Sequence, residues 1–246
     1  MQNPKINYII IGAAKCGTSA LVHILHSHPE IYCFKDGKTN ETHYFDKKYR
    51  RNNIEYYENL FNVDDKNIKM IGESTPAYSN NLSSIDRIKK YNPDCKIILC
   101  MREPIQRAYS HWNMWYKYSL ERDPILNFFK VNKGGIKTRG DYFTIIKYLY
   151  SNFPKENIHI IVTEQLLNNH DETIKNLLKF LNVKDMKLKQ YKSNKGRTNE
   201  YKNGNFFDKD SIKYMYDDFF KEQNLKLFDL LGYEINEWNN FYKVNS

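Results

Sequence analysis

The feature that most constrains this sequence is an apolar segment that runs directly into a loop of small residues. Residues 7–11 read NYIII, residues 12–19 read GAAKCGTS, and residues 20–27 continue with the pattern of a helix. A short apolar run bounded by glycine predicts a strand buried in a parallel sheet. A strand, a loop and a helix in this order begin a β–α–β unit, so the chain is expected to form an α/β fold.

The rest of the sequence repeats this alternation. Apolar runs and helical patterns predict strands at residues 69–72, 96–101 and 158–162, and helices at residues 83–91, 105–119 and 141–151. Gly232 is expected to end the last helix in a left-handed conformation. We therefore predict a three-layer, P-loop-like α/β fold with a central parallel sheet flanked by helices, in a single domain over residues 1–246.

The loop at residues 12–19 has the chemistry of an anion-binding cradle. Glycine and alanine let the backbone approach a ligand closely, and the helix that follows presents unpaired N–H groups and a partial positive charge. Lys15 adds a full charge, and Thr18 and Ser19 add hydroxyl groups. The lysine precedes Gly17, so this is not the Gly-Lys-Ser/Thr loop of magnesium-nucleotide enzymes. The alternative is an ordinary tight turn with a surface lysine.

A second cluster follows the strand predicted at residues 96–101. Arg102 comes directly after it, at the strand end where ligands bind in open α/β sheets. Pro104 suits the first turn of a helix, and Ser110 lies two turns further on, where its hydroxyl can meet the same anion. Taken alone, this pair is equally consistent with a surface arginine and an ordinary helix serine.

Together these segments resemble the sulfotransferases that use 3′-phosphoadenosine 5′-phosphosulfate (PAPS). GAAKCGTSAL is similar to their 5′-phosphosulfate loop, and REPIQRAYSHW is similar to their 3′-phosphate element. ETHYFD at residues 41–46 resembles the segment that carries the general base in the heparan sulfate and glycan branch. KGRT at residues 195–198 resembles the late loop of that branch. The resemblance covers residues 6–240 and implies sulfuryl transfer to a hydroxyl or amino group, with a glycan or oligosaccharide as acceptor and 3′-phosphoadenosine 5′-phosphate (PAP) as product.

The resemblance also implies roles for the residues that would bind PAPS. Lys15 would stabilise the leaving oxygen, and Lys195 would reach either the 3′-phosphate or the transferring group. The cosubstrate would be held by Ala14, Lys15, Cys16, Gly17, Thr18, Ser19, Arg102, Ser110, Lys195, Gly196 and Arg197.

On the acceptor side, Glu41 is the implied general base, which requires burial to raise its pKa. His43 is the rival base. Glu73 either contacts the acceptor or caps a turn, while Thr75 and Pro76 shape that turn. The tryptophans are expected to stack on sugar rings, with at least one in the core: Trp112, Trp115 and Trp238.

Two departures from the resemblance concern the acceptor. Residues 73–76 read ESTP where many members of the branch read Glu-Lys-Thr/Ser-Pro, so a lysine on the acceptor side is missing. Those members often carry a disulfide near the late loop, and this chain has no cysteine after Cys100. The sequence therefore leaves the acceptor, and O- against N-sulfation, open.

Charge and cysteine content narrow the other possibilities. The net charge of +9 suits an anionic partner, although a solvated surface rich in lysine explains it equally well. The 4 cysteines form no CxxC pair and no disulfide framework, which argues against a zinc site, and we expect no metal. The polar start and the lack of an apolar run of ~18 residues predict a cytoplasmic protein without stable membrane insertion.

Two rival functions share part of this pattern. A P-loop kinase has the same strand–loop–helix start, but it needs Gly-Lys-Ser/Thr and an acidic residue after an apolar strand. A basic nucleic-acid-binding protein would fit the charge alone. The basic residues are dispersed rather than arranged in a stripe, so we predict no nucleic-acid partner. Oligomeric state is not set by the sequence.

Overall fold

A computed structural model describes residues 5–37, 39–49, 51–61, 63–118, 123–191 and 208–245. The chain forms two compact units, each made of two stretches of sequence. The first unit is Met1–Met101 with Tyr148–Tyr191, and the second is Arg102–Lys147 with Lys192–Ser246. The single domain over residues 1–246 stays a prediction.

The first unit contains a parallel sheet of five strands in the order β2-β3-β1-β4-β5. Its strands are β1 (Tyr8–Gly12), β2 (Ile31–Cys33), β3 (Met70–Ser74), β4 (Lys96–Met101) and β5 (Ile158–Val162). All residues of β1 and β3 are buried, as expected for strands covered on both faces. The sequence predicted every strand except β2, whose three residues are too few to show a pattern.

Helices flank this sheet, so the predicted α/β fold class is confirmed. Those of the first unit are α1 (Thr18–Leu25), α2 (Ile54–Glu58), α3 (Leu82–Tyr91), α7 (Thr163–Asn168) and α8 (His170–Leu181). The boundary between the units falls inside α6 (Tyr142–Asn152). Helix α8 buries Ile174, Leu177, Leu178 and Leu181, which are spaced as one helical face.

The described part of the second unit contains helices and short helical turns. Its helices are α4 (Pro104–Tyr118), α5 (Ile125–Lys130), α9 (Lys209–Met215), α10 (Lys221–Leu231) and α11 (Asn236–Asn245). Gly232 ends α10 with φ 77°, as predicted, but α10 is not the last helix because α11 follows it. Trp238 of α11 is fully buried and packs against Tyr142 and Phe228.

The parallel arrangement brings the carboxyl ends of the strands to one edge of the sheet. β1 lies between β3 and β4, so the strand order changes direction at β1, which is where open α/β sheets bind their ligands. Ala13 follows β1, Thr75 follows β3 and Thr163 follows β5. The anion-binding loop predicted from sequence therefore starts at the centre of this edge.

Candidate active site

The loop between β1 and α1 has a backbone shape that few sequences adopt. Lys15 has φ 74° and Gly17 has φ 77°, both in the left-handed region. A Cβ atom on Gly12 would lie 2.4 Å from the Ser79 Oγ atom and 2.8 Å from the Pro76 carbonyl oxygen, so only glycine fits there. Gly12 is thus required by the path of the loop, and the positive φ of Gly17 favours glycine there.

Hydrogen bonds hold this loop against the ends of the neighbouring strands. The Ala13 N–H donates to the Cys100 carbonyl at 2.8 Å. The Thr163 hydroxyl lies 2.9 Å from the Cys16 carbonyl and 2.8 Å from the Met101 carbonyl. Thr163 was missed by sequence reasoning, although its place directly after the β5 apolar run was the available signal. The loop is therefore preorganised by β4 and β5.

The N-terminus of helix α1 follows the loop directly and has the features of an anion-binding site. The Leu21 N–H donates to the Gly17 carbonyl at 3.0 Å, so the N–H groups before Leu21 are those of a helix N-terminus. No acidic residue occupies the first turn, and Lys15 is half-buried beside it. Ser19 is exposed, whereas Thr18 is buried. These groups fit a phosphate or phosphosulfate better than a neutral ligand.

Cys16 contributes differently from the other predicted loop residues. Its N–H donates to the Ala13 carbonyl at 3.2 Å, and its thiol is buried with the Sγ atom 3.9 Å from the Ala14 carbonyl. Both groups are engaged inside the loop, so Cys16 shapes the cradle. Lys15 and the backbone from Gly17 onward stay predicted ligand contacts.

Contacts within the second unit fix the residues at the start of α4, where Arg102 and Glu103 precede Pro104. Glu103 is buried, and its carboxylate accepts hydrogen bonds from the N–H groups of Ile105 at 2.9 Å and Gln106 at 2.7 Å. A carboxylate at this position caps the helix and interacts favourably with its dipole. Tyr242 donates to the same carboxylate at 2.5 Å. The start of α4, and Arg102 with it, is therefore fixed in place.

Arg102 and Ser110 share one side of this helix. The Arg102 Nη2 atom donates to Gln106 Oε1 at 3.2 Å, and Ser110 lies four residues after Gln106, which is one turn. All three residues are half-buried, whereas the neighbouring positions Glu103, Arg107 and His111 are buried. The predicted 3′-phosphate residues therefore lie on the more accessible side of α4.

Glu41, His43 and Asp46 form a charged cluster in the first unit. The His43 Nε2 atom lies 2.9 Å from Glu41 Oε2, and its Nδ1 atom lies 3.0 Å from Asp46 Oδ2. The Glu41 side chain is 39% exposed. The implied base is therefore not buried as we expected. Its carboxylate is instead paired with His43.

The cluster changes the protonation of the histidine. Hydrogen bonds with Asp46 and then with Glu41 raise the pKa of His43 to about 9, against the opposing effects of burial and of Lys47. His43 is therefore an imidazolium at neutral pH and cannot accept a proton there. Because this pKa lies above the ordinary value of 6.5, the pairing stabilises the fold below about pH 6.5 and is lost as the pH rises through about 9.

We expect Asp46→Asn to lower the pKa of His43 from about 9 toward its ordinary value, because the partner in the hydrogen bond that raises this pKa most changes from an ionised carboxylate to a neutral amide. NMR titration of the imidazole protons measures this directly. His159 is the internal control, since burial lowers its pKa to about 4 and the substitution should leave it unchanged. A His43 pKa that stays near 9 in the variant would contradict the pairing.

Glu73 lies in the interior of the protein rather than at an accessible strand end. Glu73 is fully buried and accepts hydrogen bonds from the hydroxyls of Thr42, Thr75, Tyr57 and Tyr78, so it does not face the acceptor. Thr75, two residues after Glu73, donates its hydroxyl to that carboxylate at 2.6 Å in addition to its place in the turn.

Two of the three tryptophans belong to the core. Trp112 and Trp238 are buried, and Trp112 donates to the Asp123 carbonyl at 2.8 Å, so their predicted role in sugar stacking is wrong. Trp115 is 37% exposed, and its indole N–H donates to His111 at 2.9 Å. The remaining predicted site residues lie outside the described residues: Lys195, Gly196 and Arg197.

A family model described as the sulfotransferase domain matches residues 5–238. The chain belongs to the sulfotransferase domain family. Two curated relatives support the resemblance to the glycan branch. The membrane-associated sulfotransferase kil1 of Dictyostelium discoideum is 35% identical over 116 residues, which are 45% of this chain and 24% of that protein. Heparan sulfate glucosamine 3-O-sulfotransferase 6 of Homo sapiens is 33% identical over 122 residues, or 50% of this chain and 33% of that protein. The aligned region thus spans a third or less of these relatives.

Solved sulfotransferase structures share the fold. The sulfotransferase from Alicyclobacillus acidocaldarius superposes with a TM-score of 0.73 at 21% identity, covering 96% of this chain and 99% of that one. Mouse sulfotransferase SULT7A1, complexed with PAP, superposes with a TM-score of 0.52 at 16% identity, covering 80% of this chain and 62% of that one.

Two further observations on this sulfotransferase domain concern membranes and metals. Among the described residues, no helix combines the length and apolar character needed to cross a bilayer. The same residues include no group of three or more His, Cys, Asp or Glu side chains placed to hold a metal ion. All 4 cysteines are buried as free thiols.

Proposed function

We propose that this sulfotransferase domain transfers a sulfuryl group from PAPS to a hydroxyl or amino group of a glycan and releases PAP. The observation that carries the proposal is the anion cradle, in which a left-handed Lys15 precedes the N-terminus of α1 at the centre of the sheet edge. Family membership supports sulfuryl transfer, and the similarity to heparan sulfate sulfotransferases supports a carbohydrate acceptor.

The resemblance assigns the cradle to the 5′ end of the nucleotide, and it assigns Arg102 and Ser110 to the 3′ end. The α1 N-terminus, Thr18 and Ser19 suit the 5′-phosphate because they offer N–H and hydroxyl donors. Arg102 and Ser110 suit the 3′-phosphate, since Arg102 directly follows β4, the strand that pairs with β1. Lys195, Gly196 and Arg197 remain residues proposed from the resemblance alone.

Sulfuryl transfer requires in-line positioning of the reactants and stabilisation of the developing charge, and it needs no covalent intermediate with the protein. PAPS supplies the sulfuryl group and a phosphate leaving group. The acceptor oxygen or nitrogen forms a bond to sulfur as the bond from sulfur to the bridging oxygen breaks, and that electron pair stays on the phosphate. Lys15 places a positive charge where this negative charge grows.

Glu41 would take the proton that the acceptor loses. Its side chain is partly exposed. One carboxylate oxygen contacts His43, and a carboxylate has a second oxygen that can accept a proton. His43 is the weaker base candidate because its pKa of about 9 keeps it protonated at neutral pH. In this proposal, the histidine orients Glu41 through the contact of its Nε2 atom with Glu41 Oε2.

Other parts of the proposal rest on the sequence alone. A cytoplasmic location and independence from metal ions stay predictions, and so does the absence of a nucleic-acid partner. Because the curated relatives are much longer than the aligned region, the acceptor of the whole protein is also a proposal.

Calorimetric titration with PAP tests the nucleotide site. We expect the wild type to bind with a dissociation constant in the micromolar range or tighter, which corresponds to about −8 kcal/mol or better. Arg102→Ala should weaken binding by at least ~10-fold because a charge-assisted contact is lost. Lys175→Ala, an exposed lysine on α8, is the control for loss of one positive charge. A wild type that fails to bind PAP would overturn the function, and Arg102→Ala binding like the wild type would overturn the site.

A further inference from the structure

Glu73 is the centre of a buried hydrogen-bond cluster at the end of β3. Its Oε2 atom accepts from the hydroxyls of Thr42 at 2.7 Å and Thr75 at 2.6 Å. Its Oε1 atom accepts from the hydroxyls of Tyr57 at 2.9 Å and Tyr78 at 3.0 Å. All five side chains are buried. A buried carboxylate with this many donors is the anchor of a network rather than an isolated charge.

Three of these hydroxyls also bind the backbone of the segment that follows Glu41. Thr75 Oγ1 accepts from the N–H groups of Thr42 at 3.1 Å and His43 at 3.4 Å. The Thr42 hydroxyl accepts from the Tyr44 N–H at 3.2 Å, and the Tyr78 hydroxyl accepts from the Phe45 N–H at 3.2 Å. Each hydroxyl thus takes a backbone N–H on one side and gives its own hydrogen to Glu73 on the other.

The hydrogen-bond pattern suits an ionised carboxylate. Four hydroxyls lie within hydrogen-bond distance of its two oxygens and can all donate to it, so a proton on Glu73 would need one of these hydroxyls to turn and accept it. A hydroxyl that turned would no longer accept its backbone N–H in the same geometry. Burial raises the pKa of Glu73, and the four hydroxyl bonds oppose that rise because they favour the charged form.

The other side of the same segment is held as well. The Phe45 carbonyl accepts from Arg87 Nη1 at 2.6 Å and from the Ser84 hydroxyl at 3.2 Å. His43 has φ 52°, a conformation that a non-glycine residue keeps only where its surroundings enforce it. The backbone from Thr42 to Phe45 is therefore fixed by the Glu73 cluster and by α3.

We propose that Glu73 is a positioning residue for sulfuryl transfer, which fixes the backbone of Thr42 to Phe45 and thereby aims Glu41 at the acceptor. The inference rests on the proposed function for its kinetic consequence. It does not make Glu73 a catalytic residue, since its carboxylate is fully buried and the four hydroxyls that bind it in the described part of the chain belong to buried residues. Glu41 and His43 flank Thr42, the residue that Glu73 binds directly.

Two tyrosines allow a matched test because both donate to the same Glu73 oxygen. In the described part of the chain, the Tyr78 hydroxyl also accepts the Phe45 N–H, whereas the Tyr57 hydroxyl binds no backbone N–H of this segment. Tyr78→Phe should lower kcat for transfer from PAPS to heparan sulfate by at least ~10-fold, through misplacement of Glu41. Tyr57→Phe should change kcat by less than about twofold, and KM for PAPS should stay unchanged in both.

Amide hydrogen exchange of the protein without PAPS provides a readout that does not depend on the proposed function. We expect faster exchange at the Thr42 to Phe45 amides in Tyr78→Phe and wild-type exchange there in Tyr57→Phe. Equal losses of kcat in the two variants, or unchanged exchange in Tyr78→Phe, would overturn the positioning role. A wild type that transfers nothing to any glycan would refute the proposed function, while the exchange result would still decide whether Glu73 holds this segment.

Discussion

Replacing Lys15 with alanine is expected to slow sulfuryl transfer by ~10²–10³-fold, the effect typical of removing one preorganised donor from a developing negative charge. Lys15 lies in the left-handed turn that leads into α1 and is half-buried, and we propose that its charge acts beside the N-terminus of that helix. The loss should appear in kcat, measured with PAPS and heparan sulfate. PAP binding should change less, because the backbone donors of the cradle remain.

Alanine is the informative substitution here because it keeps a Cβ atom. Lys15 has φ 74°, and glycine would relieve backbone strain while also removing the charge, so the two effects would be mixed. Lys175→Ala on α8 controls for the loss of one lysine and should retain the wild-type rate. A Lys15→Ala protein that is folded and turns over like the wild type would refute the role given to Lys15.

The parts of the fold that the sequence predicted depend on local patterns. The β1 run and the Gly12 to Ser19 loop follow from apolar residues bounded by glycine, and β4 and β5 were located with their observed bounds. The start of α4 was also predictable, because Pro104 occupies the first helical position. Strand ends in a parallel sheet share one edge, so the order of these elements was enough to predict where the cradle lies.

The parts that were missed depend on contacts between distant segments. Glu73 and Thr42 are 31 residues apart, and nothing in either local sequence indicates that one binds the other. Thr163 and Cys16 are 147 residues apart, and neither local sequence indicates that the Thr163 hydroxyl binds the Cys16 carbonyl. The pairing of Glu41 with His43 is close in sequence, but it depends on the left-handed backbone of His43, which local residue preferences do not predict.

The burial of the tryptophans also depends on contacts between distant segments. Trp112 and Trp115 lie on one helix, and their sequence context does not show that Trp112 is buried while Trp115 is partly exposed. Burial of an aromatic residue depends on which elements pack against it, as Tyr142 and Phe228 do against Trp238. Composition could supply only the expectation that at least one tryptophan would be core, which is confirmed.

Glu41→Gln is the substitution expected to separate the base from its surroundings. Glutamine keeps the size of the side chain and a carbonyl oxygen that can still accept from His43, but it cannot take a proton from the acceptor. We expect kcat for sulfuryl transfer from PAPS to heparan sulfate to fall by ~10²–10⁴-fold, the range for general acid–base catalysis. PAP affinity should be unchanged, because Glu41 is not part of the cradle. Glu55→Gln, an exposed carboxylate at the start of α2, is the control and should keep the wild-type kcat.

His43→Gln completes the test, because it distinguishes the two candidate bases. If Glu41 is the base and His43 only orients it, the histidine variant should lose less activity than Glu41→Gln. The reverse order would assign the base to His43, and this would require a neutral imidazole at the working pH. The pKa of about 9 opposes that state, since the two carboxylates on either side of the ring favour the imidazolium. The kinetic order and the NMR titration of His43 therefore test the same electrostatic argument by independent measurements.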